Sequence, residues 1–280
     1  TSQSHVGSWS CWYSGRLSTI TIANMDTSGE VDKNVLLSEI KSHEAQGAQW
    51  WDLKGTMKAL HTMNKLRISL VKNGLLATKQ ISSEQAAKTF FLDGINILDV
   101  GCGGGILCEA LAKAGGRVTG VDPSTELIAV AQNHASLLEV QPPTYVCDTI
   151  QNHSARFPAY YDVVVASEVV EHVPDKEIFL TACIAALKPG GSLFVTTPNR
   201  TCLSWLGAIF ICEDILRLAP RGFHTWSQFI HHTDLVALIQ RLGCEVRKVR
   251  GMFYDPLRNW WCWCFTPTFI YAVHSVKPLS

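Results

Sequence analysis

The chain has 280 residues and a mass of 30.9 kDa, enough for one large α/β domain with appendages or for two small domains. Hydrophobic residues make up 47% and charged residues 17% of it, so the composition excludes a disordered chain. The 24 Lys and Arg residues balance the 24 Asp and Glu residues, which excludes the strongly positive surface that nucleic-acid binding needs, and we expect no nucleic-acid partner.

The ten cysteines are scattered, with Cys262 and Cys264 as the only close pair. This spacing is poor for a zinc site and typical of a reducing compartment, where such residues act as small apolar side chains. The longest apolar run, Leu203 to Cys212, is far shorter than the ~18 residues that cross a bilayer. We therefore expect no membrane-spanning helix.

The N-terminal segment has a distinct composition. Its first 25 residues contain six Ser, one Arg and no acidic residue, which is typical of an organellar transit segment and equally of an ordinary disordered tail. We expect residues 1–30 to be disordered or transit-like. The pattern then turns helical, and residues 31–92 are predicted to form a helical arm that precedes the main fold.

Apolar strands alternate with helices over residues 93–280. The first strand, Ile95 to Val100, leads into a glycine loop, and a second ends at Asp122. Such alternation predicts a doubly wound α/β fold with both sheet faces covered. We expect a Rossmann-like domain with a seven-stranded mixed sheet and an insertion over residues 199–229.

The glycine loop follows the first strand with the pattern Asp99-x-Gly101-x-Gly103-x-Gly105. In an open parallel sheet, ligands bind beyond the carboxyl ends of the strands, and glycines there let the backbone approach a ligand closely. A dinucleotide fingerprint would need glycine at position 106, which is Ile. An acid two residues before the loop would repel a pyrophosphate but suits a cofactor with a cationic amino-acid end.

Asp122 ends the second strand, where a carboxylate can accept hydrogen bonds from ribose hydroxyls. Together with the glycine loop and Asp99, it favours S-adenosylmethionine over a nicotinamide cofactor. A plain strand-to-helix turn, with Asp122 as a helix cap before Pro123, is the structural alternative. Asp148 is less specific, because it could meet an adenine amino group or cap the next segment.

A wider set of motifs resembles the ubiquinone-biosynthesis O-methyltransferases, a family within the class I S-adenosylmethionine-dependent methyltransferases. The motifs cover roughly residues 43–276 and are Trp50-Trp51-Asp52-Leu53, Leu60-His61, Asn64-Lys65-Leu66-Arg67, Asp99 to Gly105, Glu168-x-x-Glu171-His172-Val173, Leu187 to Gly191, Asn199-Arg200, Gly222-x-His224-Thr225-Trp226 and Gly251-Met252-x-Tyr254-Asp255-Pro256. The arm and insertion motifs are far more selective than the glycine loop.

The resemblance implies two O-methylations on the way to ubiquinone, of a polyprenyl dihydroxybenzoate and of a demethylubiquinol. Arg67 matches the family position that pairs with the cofactor carboxylate, and Gly101, Asp122 and Ser167 match other cofactor contacts. It also implies a mitochondrial protein on the matrix side of the inner membrane, bound peripherally, with other ubiquinone-biosynthesis proteins as partners.

Glu168, Glu171 and His172 follow the fourth strand at spacings of three and four. If a helix begins there, all three side chains share one face at the carboxyl edge of the sheet. They could hold a divalent ion that acts as a Lewis acid on a catechol, or His172 could act as general base, or all three could have only structural roles. The family resemblance favours the metal, with magnesium at these three positions.

The insertion carries apolar residues that include Trp205, with Arg200, Arg217 and Arg221 nearby. Burial against the domain and contact with a membrane surface both fit this composition, and a polyprenyl substrate favours the second. The tryptophans between Trp260 and Trp263 could line the same entrance, although core packing is the simpler interpretation. Two other functions stay open: methylation of another small phenol or lipid, and a non-catalytic lipid-binding subunit.

Overall fold

A computed structural model describes residues 50–201, 204 and 228–279, together with the backbone of 9–13 and 16–20. The last two segments pair as a two-stranded antiparallel hairpin, β1 (Trp9–Tyr13) with β2 (Arg16–Ile20), within the segment expected to be transit-like or disordered. The first part of the expected arm, 31–49, and most of the expected insertion, including Trp205, Arg217 and Arg221, lie outside the described residues. Among the helices that are described, none is long and apolar enough to cross a membrane.

The main sheet has eight strands in the order β5-β4-β3-β6-β7-β10-β8-β9. The strands are β3 (Asn96–Val100), β4 (Arg117–Asp122), β5 (Thr144–Cys147), β6 (Tyr161–Ser167), β7 (Leu187–Pro198), β8 (Glu245–Asp255), β9 (Trp260–Cys264) and β10 (Ile270–Val276). Neighbours from β5 to β7 are parallel, and β10, β8 and β9 join by antiparallel pairs. The strand order reverses between β3 and β6, which places a ligand site at the carboxyl ends of these two strands.

The helices cover both faces of this sheet. They are α1 (Lys58–Ala77), α2 (Ser83–Ala86), α3 (Ile106–Lys113), α4 (Thr125–Ala135), α5 (Ile150–Arg156), α6 (Lys176–Ala186) and α7 (His232–Arg241). Side chains of Ser82, Ser124, Thr149 and Asp175 accept backbone N–H bonds at helix starts, as short polar N-caps do.

Two apolar cores lie on opposite faces of the sheet. One packs α1, α3 and α4 against the sheet, with Leu75 and Phe194 fully buried. The other packs α5, α6 and α7, with Leu180 and Leu235 fully buried. Because both faces are covered, the parallel strands are apolar on both sides, as in Val163 to Ala166.

The doubly wound fold is confirmed, and the strand count was wrong by one. The additional strand is β9, which lies in the segment that carries the tryptophan cluster and pairs with the end of β8. Ile270 lies opposite Pro198 on one side and Met252 on the other, so β8 continues past the carboxyl edge of β7. The β8–β9 turn therefore stands at the edge where the glycine loop lies.

Only one member of the tryptophan cluster is fully in the core. Trp261 is buried and its indole Nε1 donates to the carbonyl of Ala59 on α1 at 2.8 Å. Trp263 is half-buried beneath the guanidinium of Arg250, 4.9 Å from the ring centre, and Trp260 is 51% exposed. Core packing is thus right for Trp261, and the strand turns Trp260 towards solvent.

Candidate active site

The glycine loop makes a sharp turn between β3 and α3. The N–H groups of Gly101 and Cys102 both bond the carbonyl of Val121, at 2.8 and 3.2 Å, which holds the loop against β4. Gly101 has φ +68° and a Cβ there would lie 2.5 Å from the Val169 side chain, so only glycine fits. The loop leads into the N-terminus of α3, whose free N–H groups point towards the site.

Asp122 lies directly beside this loop, as predicted. Its Oδ2 accepts the N–H of Gly103 and its Oδ1 accepts the N–H of Ser124, both at 2.9 Å. Burial raises the pKa of the carboxyl, while these two hydrogen bonds act in the opposite direction. The alternative that Asp122 caps the next helix is wrong, since Ser124 is the residue whose side chain caps α4.

Arg67, on α1, reaches across to the end of β6. It is buried, donates to Ser167 Oγ at 3.3 Å and also donates to the carbonyl of Leu60. Burial lowers its pKa to about 10, an effect that the charges of Asp99 and Glu168 partly offset. The expected cofactor residues Arg67 and Ser167 are therefore in direct contact.

Asp99 is buried at the end of β3, one strand position before the loop. Its Oδ2 accepts a bond from the Cys108 thiol at 3.1 Å. Burial raises the pKa of the carboxyl to about 6, against the lowering effects of the Cys108 bond and the Arg67 charge. Arg67 and Asp99 thus place a positive and a negative group near the glycine loop, and Ser167 adds a hydroxyl.

The expected helix over Glu168, Glu171 and His172 is wrong. Glu168 has φ +59° and its N–H bonds the Thr196 carbonyl at 2.8 Å, so the chain leaves β6 in a turn. Only a 3₁₀ turn, Val170–His172, follows. Because Glu168 has a left-handed backbone conformation, its side chain does not share a helical face with those of Glu171 and His172, although the three residues are near one another in sequence.

The three side chains nevertheless interact. The Oε1 atom of Glu168 is buried without a hydrogen-bond partner among the described residues, and burial followed by the charge of Glu171 raises the pKa of Glu168 to about 8. Glu171 Oε2 accepts from Thr197 Oγ1 at 2.7 Å, and its Oε1 lies 4.0 Å from His172 Nε2. Across the described part of the chain, no three acidic, Cys or His side chains are already arranged as a metal site.

Two threonines of β7 also belong to this edge, and the sequence did not reveal them. The hydroxyl of Thr196 lies 2.8 Å from that of Ser167, and Thr197 holds Glu171 as described above. They adjoin Ser167 because β6 and β7 pair with Ser167 opposite Thr196. A signal existed in the sequence, since polar residues at the carboxyl end of a buried parallel strand face the ligand edge.

Asp148 directly follows β5 near the same edge, and the structure gives it partners of its own. It accepts the Thr149 N–H at 2.8 Å and forms an ion pair with Arg156 of α5. Neither bond is the helix cap expected of Asp148, because Thr149 is the residue whose side chain caps α5.

Comparison with known proteins places this site in a family. A model of a methyltransferase domain matches residues 77–249. The mitochondrial ubiquinone biosynthesis O-methyltransferase of Rattus norvegicus is 40% identical over 245 residues, which cover 85% of this chain and 69% of the relative. Its counterpart in Escherichia coli O157:H7 is 39% identical over 229 residues, covering 82% of this chain and 89% of the relative.

The chain belongs to the ubiquinone biosynthesis O-methyltransferase family. It is an S-adenosylmethionine-dependent methyltransferase, and the glycine loop, Asp99 and Asp122 are the features from which the cofactor was predicted. The human relative is 41% identical over 242 residues, 64% of its length, so this methyltransferase spans about two thirds of the mammalian relatives.

Solved structures agree on the fold of this methyltransferase. The magnesium protoporphyrin IX methyltransferase of Synechocystis PCC 6803, solved with bound S-adenosylmethionine, superposes with a TM-score of 0.57 at 18% identity, over 92% of this chain and all of that one. A putative methyltransferase of Haloferax volcanii, in complex with its Trm112 activator, gives a TM-score of 0.55 at 16% identity, over 84% of this chain and 97% of that one.

Proposed function

We propose that this methyltransferase acts in ubiquinone biosynthesis and transfers methyl groups to the hydroxyls of a polyprenyl dihydroxybenzoate and of a demethylubiquinol. The observation that carries the proposal is the contact of Arg67 with Ser167 beside Asp99, in a chain about 40% identical to the curated relatives. This contact joins the arm to the cofactor edge of the sheet, so the arm is part of the site.

The cofactor residues have separate roles in this proposal. Arg67 pairs with the carboxylate of S-adenosylmethionine, and Asp99 offsets the positive charge of its amino-acid end. Asp122 accepts from the ribose hydroxyls through lone pairs that the Gly103 and Ser124 bonds leave free. Gly101 and Gly103 allow close approach of the backbone, and Ser167 orients Arg67.

The methyl acceptor meets the cofactor beside Glu168, Glu171 and His172. The donor types of these residues, two carboxylates and an imidazole, suit a divalent ion such as Mg²⁺, and the orphaned Oε1 of Glu168 supports that assignment. Such an ion, when bound, would act as a Lewis acid and lower the pKa of a catechol hydroxyl. The pairing of Thr197 with Glu171 holds one carboxylate in place for this role.

Methyl transfer asks the protein mainly for alignment and for a deprotonated oxygen. The sulfonium is already activated, so holding the acceptor oxygen in line with the methyl group can supply much of the rate. The burial of Asp99, Asp122 and Glu171 indicates an edge shielded from water, which strengthens each charge interaction there. If no ion is required, His172 takes the acceptor proton as general base.

A polyprenyl substrate implies contact with a membrane, and we place the protein peripherally on the matrix side of the mitochondrial inner membrane, beside other ubiquinone-biosynthesis proteins. The curated animal relatives carry a mitochondrial name. Leu257, Trp260 and Phe265 are exposed around the β8–β9 hairpin, at the edge of the sheet that carries the cofactor site. An exposed aromatic and aliphatic surface of this kind suits the interface of a bilayer.

The test uses the purified chain, S-adenosylmethionine labelled on its methyl group, a short-chain prenyl catechol and a matched water-soluble catechol. We expect methylation of the prenyl catechol at a higher kcat/KM, and loss of the rate on chelation with recovery on adding Mg²⁺. Equal rates for the two catechols would favour a methyltransferase for other phenols. If chelation leaves the rate unchanged, His172 would be assigned the deprotonation of the acceptor hydroxyl, as general base.

The Glu168→Ala variant separates the acceptor site from cofactor binding. It should abolish catechol methylation while the affinity for S-adenosylhomocysteine, measured by calorimetry, stays within about twofold. Glu177→Ala is the matched control, because Glu177 is exposed on α6 and pairs only with Arg241 in the described structure. Binding of cofactor without methylation of any phenol would support the non-catalytic alternative.

A further inference from the structure

Trp50 lies directly on the glycine loop. A Cβ at Gly103 would be 2.5 Å from Trp50 Cζ2, and one at Gly104 would clash with the same indole. The ring is 6% exposed and packs in a small apolar cluster with Met57, Ile106 and Leu127. The two glycines therefore leave the space that the Trp50 indole fills.

The indole N–H of Trp50 is unpaired. Its Nε1 is buried and has no hydrogen-bond acceptor anywhere in the described part of the chain. Buried polar groups are nearly always paired, and an exception at a ligand edge favours a partner other than the described residues. If the side chain served only to fill space, phenylalanine would do so without leaving an unpaired N–H.

A second unpaired donor lies in the same region. Arg67 Nε is buried and also lacks an acceptor among the described residues. The two are linked through Leu60, which packs on the Trp50 cluster and whose carbonyl accepts a bond from Arg67. Both lie near the N-terminus of α3, because Trp50 packs against Ile106, its first residue, and Asn64 of α1 donates to the carbonyl of Ile106 at 2.8 Å. Two donors and a helix N-terminus together favour an anionic acceptor.

Trp51 fixes the position of Trp50. Its ring stacks on His134 with centroids 3.4 Å apart and planes at 2°, and its Nε1 donates to Gly104 O at 2.9 Å. His61 Nε2 lies 3.0 Å from the carbonyl of Trp50, and His134 Nδ1 lies 2.6 Å from Glu109 Oε1. Trp51 is thus a positioning residue that holds the Trp50 indole against the loop.

We propose that Trp50 is a binding residue for the methyl donor, and that its indole N–H donates to the carboxylate of S-adenosylmethionine beside Arg67. The carboxylate is the only anionic group of that molecule, so it is the acceptor that the two donors and the α3 terminus select. The assignment depends on the cofactor class and on the Arg67 pairing proposed above. It is independent of which phenol is methylated.

The Trp50→Phe variant removes the N–H and keeps an aromatic ring. We expect the Kd for S-adenosylhomocysteine, measured by calorimetry, to rise about tenfold or more, as for loss of a hydrogen bond to a charged group. The melting temperature of the ligand-free protein should fall modestly, because the smaller ring leaves a cavity in the apolar cluster, and cooperative unfolding will show that the variant is folded. Trp260→Phe, at an exposed tryptophan of β9, should leave the Kd unchanged.

A second ligand identifies the acceptor. 5′-Methylthioadenosine shares the nucleoside and lacks the amino-acid end, so Trp50→Phe should change its Kd by less than about twofold. An equal loss for both ligands would overturn the carboxylate assignment, and an unchanged Kd for S-adenosylhomocysteine would overturn the binding role of Trp50. Neither readout involves a phenol, so failure of the proposed substrate class leaves both results intact.

A third variant covers the case in which phenylalanine does not support folding. β-(3-Benzothienyl)alanine at position 50 has nearly the shape of tryptophan, with sulfur in place of the N–H. It should reproduce the tenfold loss for S-adenosylhomocysteine and spare 5′-methylthioadenosine. Wild-type affinity for both ligands with this residue would overturn the proposal.

Discussion

The indole of Trp261 on β9 donates to the carbonyl of Ala59 on α1 at 2.8 Å, across 202 positions of sequence. The last strand of the sheet order thereby braces the first turn of the helix that carries Arg67. Asn259 adds to this junction, since its Oδ1 accepts from Thr62 at 3.2 Å and from Tyr254 at 2.8 Å. If Arg67 pairs with the cofactor as proposed, binding depends on a strand remote from the glycine loop.

Asn259→Gly tests this junction. Asn259 has φ +47°, which glycine adopts freely, so the variant removes the acceptor without straining the backbone. We expect a loss of about 1–3 kcal/mol in the free energy of unfolding and a several-fold weaker cofactor affinity. Tyr254→Phe, which removes one of the two donors, should have a smaller effect on both. If Asn259→Gly keeps the wild-type free energy of unfolding in urea and the wild-type cofactor affinity by calorimetry, the junction is not coupled to the site.

Arg67→Met should abolish measurable cofactor binding. The variant removes a buried guanidinium and leaves Asp99 and Glu168 without their positive neighbour, and breaking such a buried group of charges costs about 3–5 kcal/mol. Lys65→Met, two positions earlier on the exposed side of α1, is the matched control and should bind normally. Calorimetry with S-adenosylhomocysteine measures binding, and urea unfolding measures the stability. Normal affinity in the Arg67 variant would contradict the assigned role.

His274 makes the stability of the fold sensitive to acid. The ring is buried, with Nε2 2.9 Å from Ser192 Oγ and stacked on Phe194, and burial lowers its pKa from 6.5 to about 4. The unfolded chain therefore binds a proton between about pH 6.5 and pH 4 that the folded chain does not, so stability falls as the pH falls through this window.

The His274→Asn variant should remove this acid sensitivity. The wild-type free energy of unfolding should fall by about 3 kcal/mol more than that of the variant between pH 7 and pH 4. Urea unfolding at several pH values measures the difference. Parallel profiles for the two proteins would mean that His274 does not titrate differently in the folded chain.

Gly74→Ala should destabilise the protein although alanine is the better helix former. A Cβ at Gly74 would lie 2.5 Å from Phe194 Cε1 and 3.1 Å from His274 Cε1, and the stacked rings behind it leave no room to retreat. Overpacking costs about 1–3 kcal/mol, more than the ~1 kcal/mol gained in helix propensity. Asn73→Ala, on the exposed side of α1, should be neutral or slightly stabilising. A more stable Gly74 variant in thermal unfolding would contradict the close fit of α1.

Local patterns in the sequence are sufficient to predict the parallel half of the sheet. The segment Asn96 to Val100, apolar except for Asn96 and Asp99, leads into the glycine loop and forms β3, and Asp122 ends β4 as expected. These features depend on neighbouring residues and on the edge rule for parallel sheets, so they can be derived without the rest of the chain.

The turn after β6 could not be predicted in this way. Glu168 is held at φ +59° by a bond from its N–H to Thr196 O, on a strand that follows about thirty residues later. Likewise, whether Trp260 or Trp261 faces the core is decided by α1, some two hundred residues away. Interactions of such sequence separation override local spacing.

The bond between Trp261 and Ala59 has a consequence for biosynthesis. A chain that has left the ribosome only as far as β7 already holds the glycine loop, Asp122 and both threonines of the ligand edge. It still lacks the C-terminal strands that brace the first turn of α1. Synthesis proceeds from the N-terminus, so this support for α1, and with it the cofactor contact proposed for Arg67, forms only after β9 has been translated.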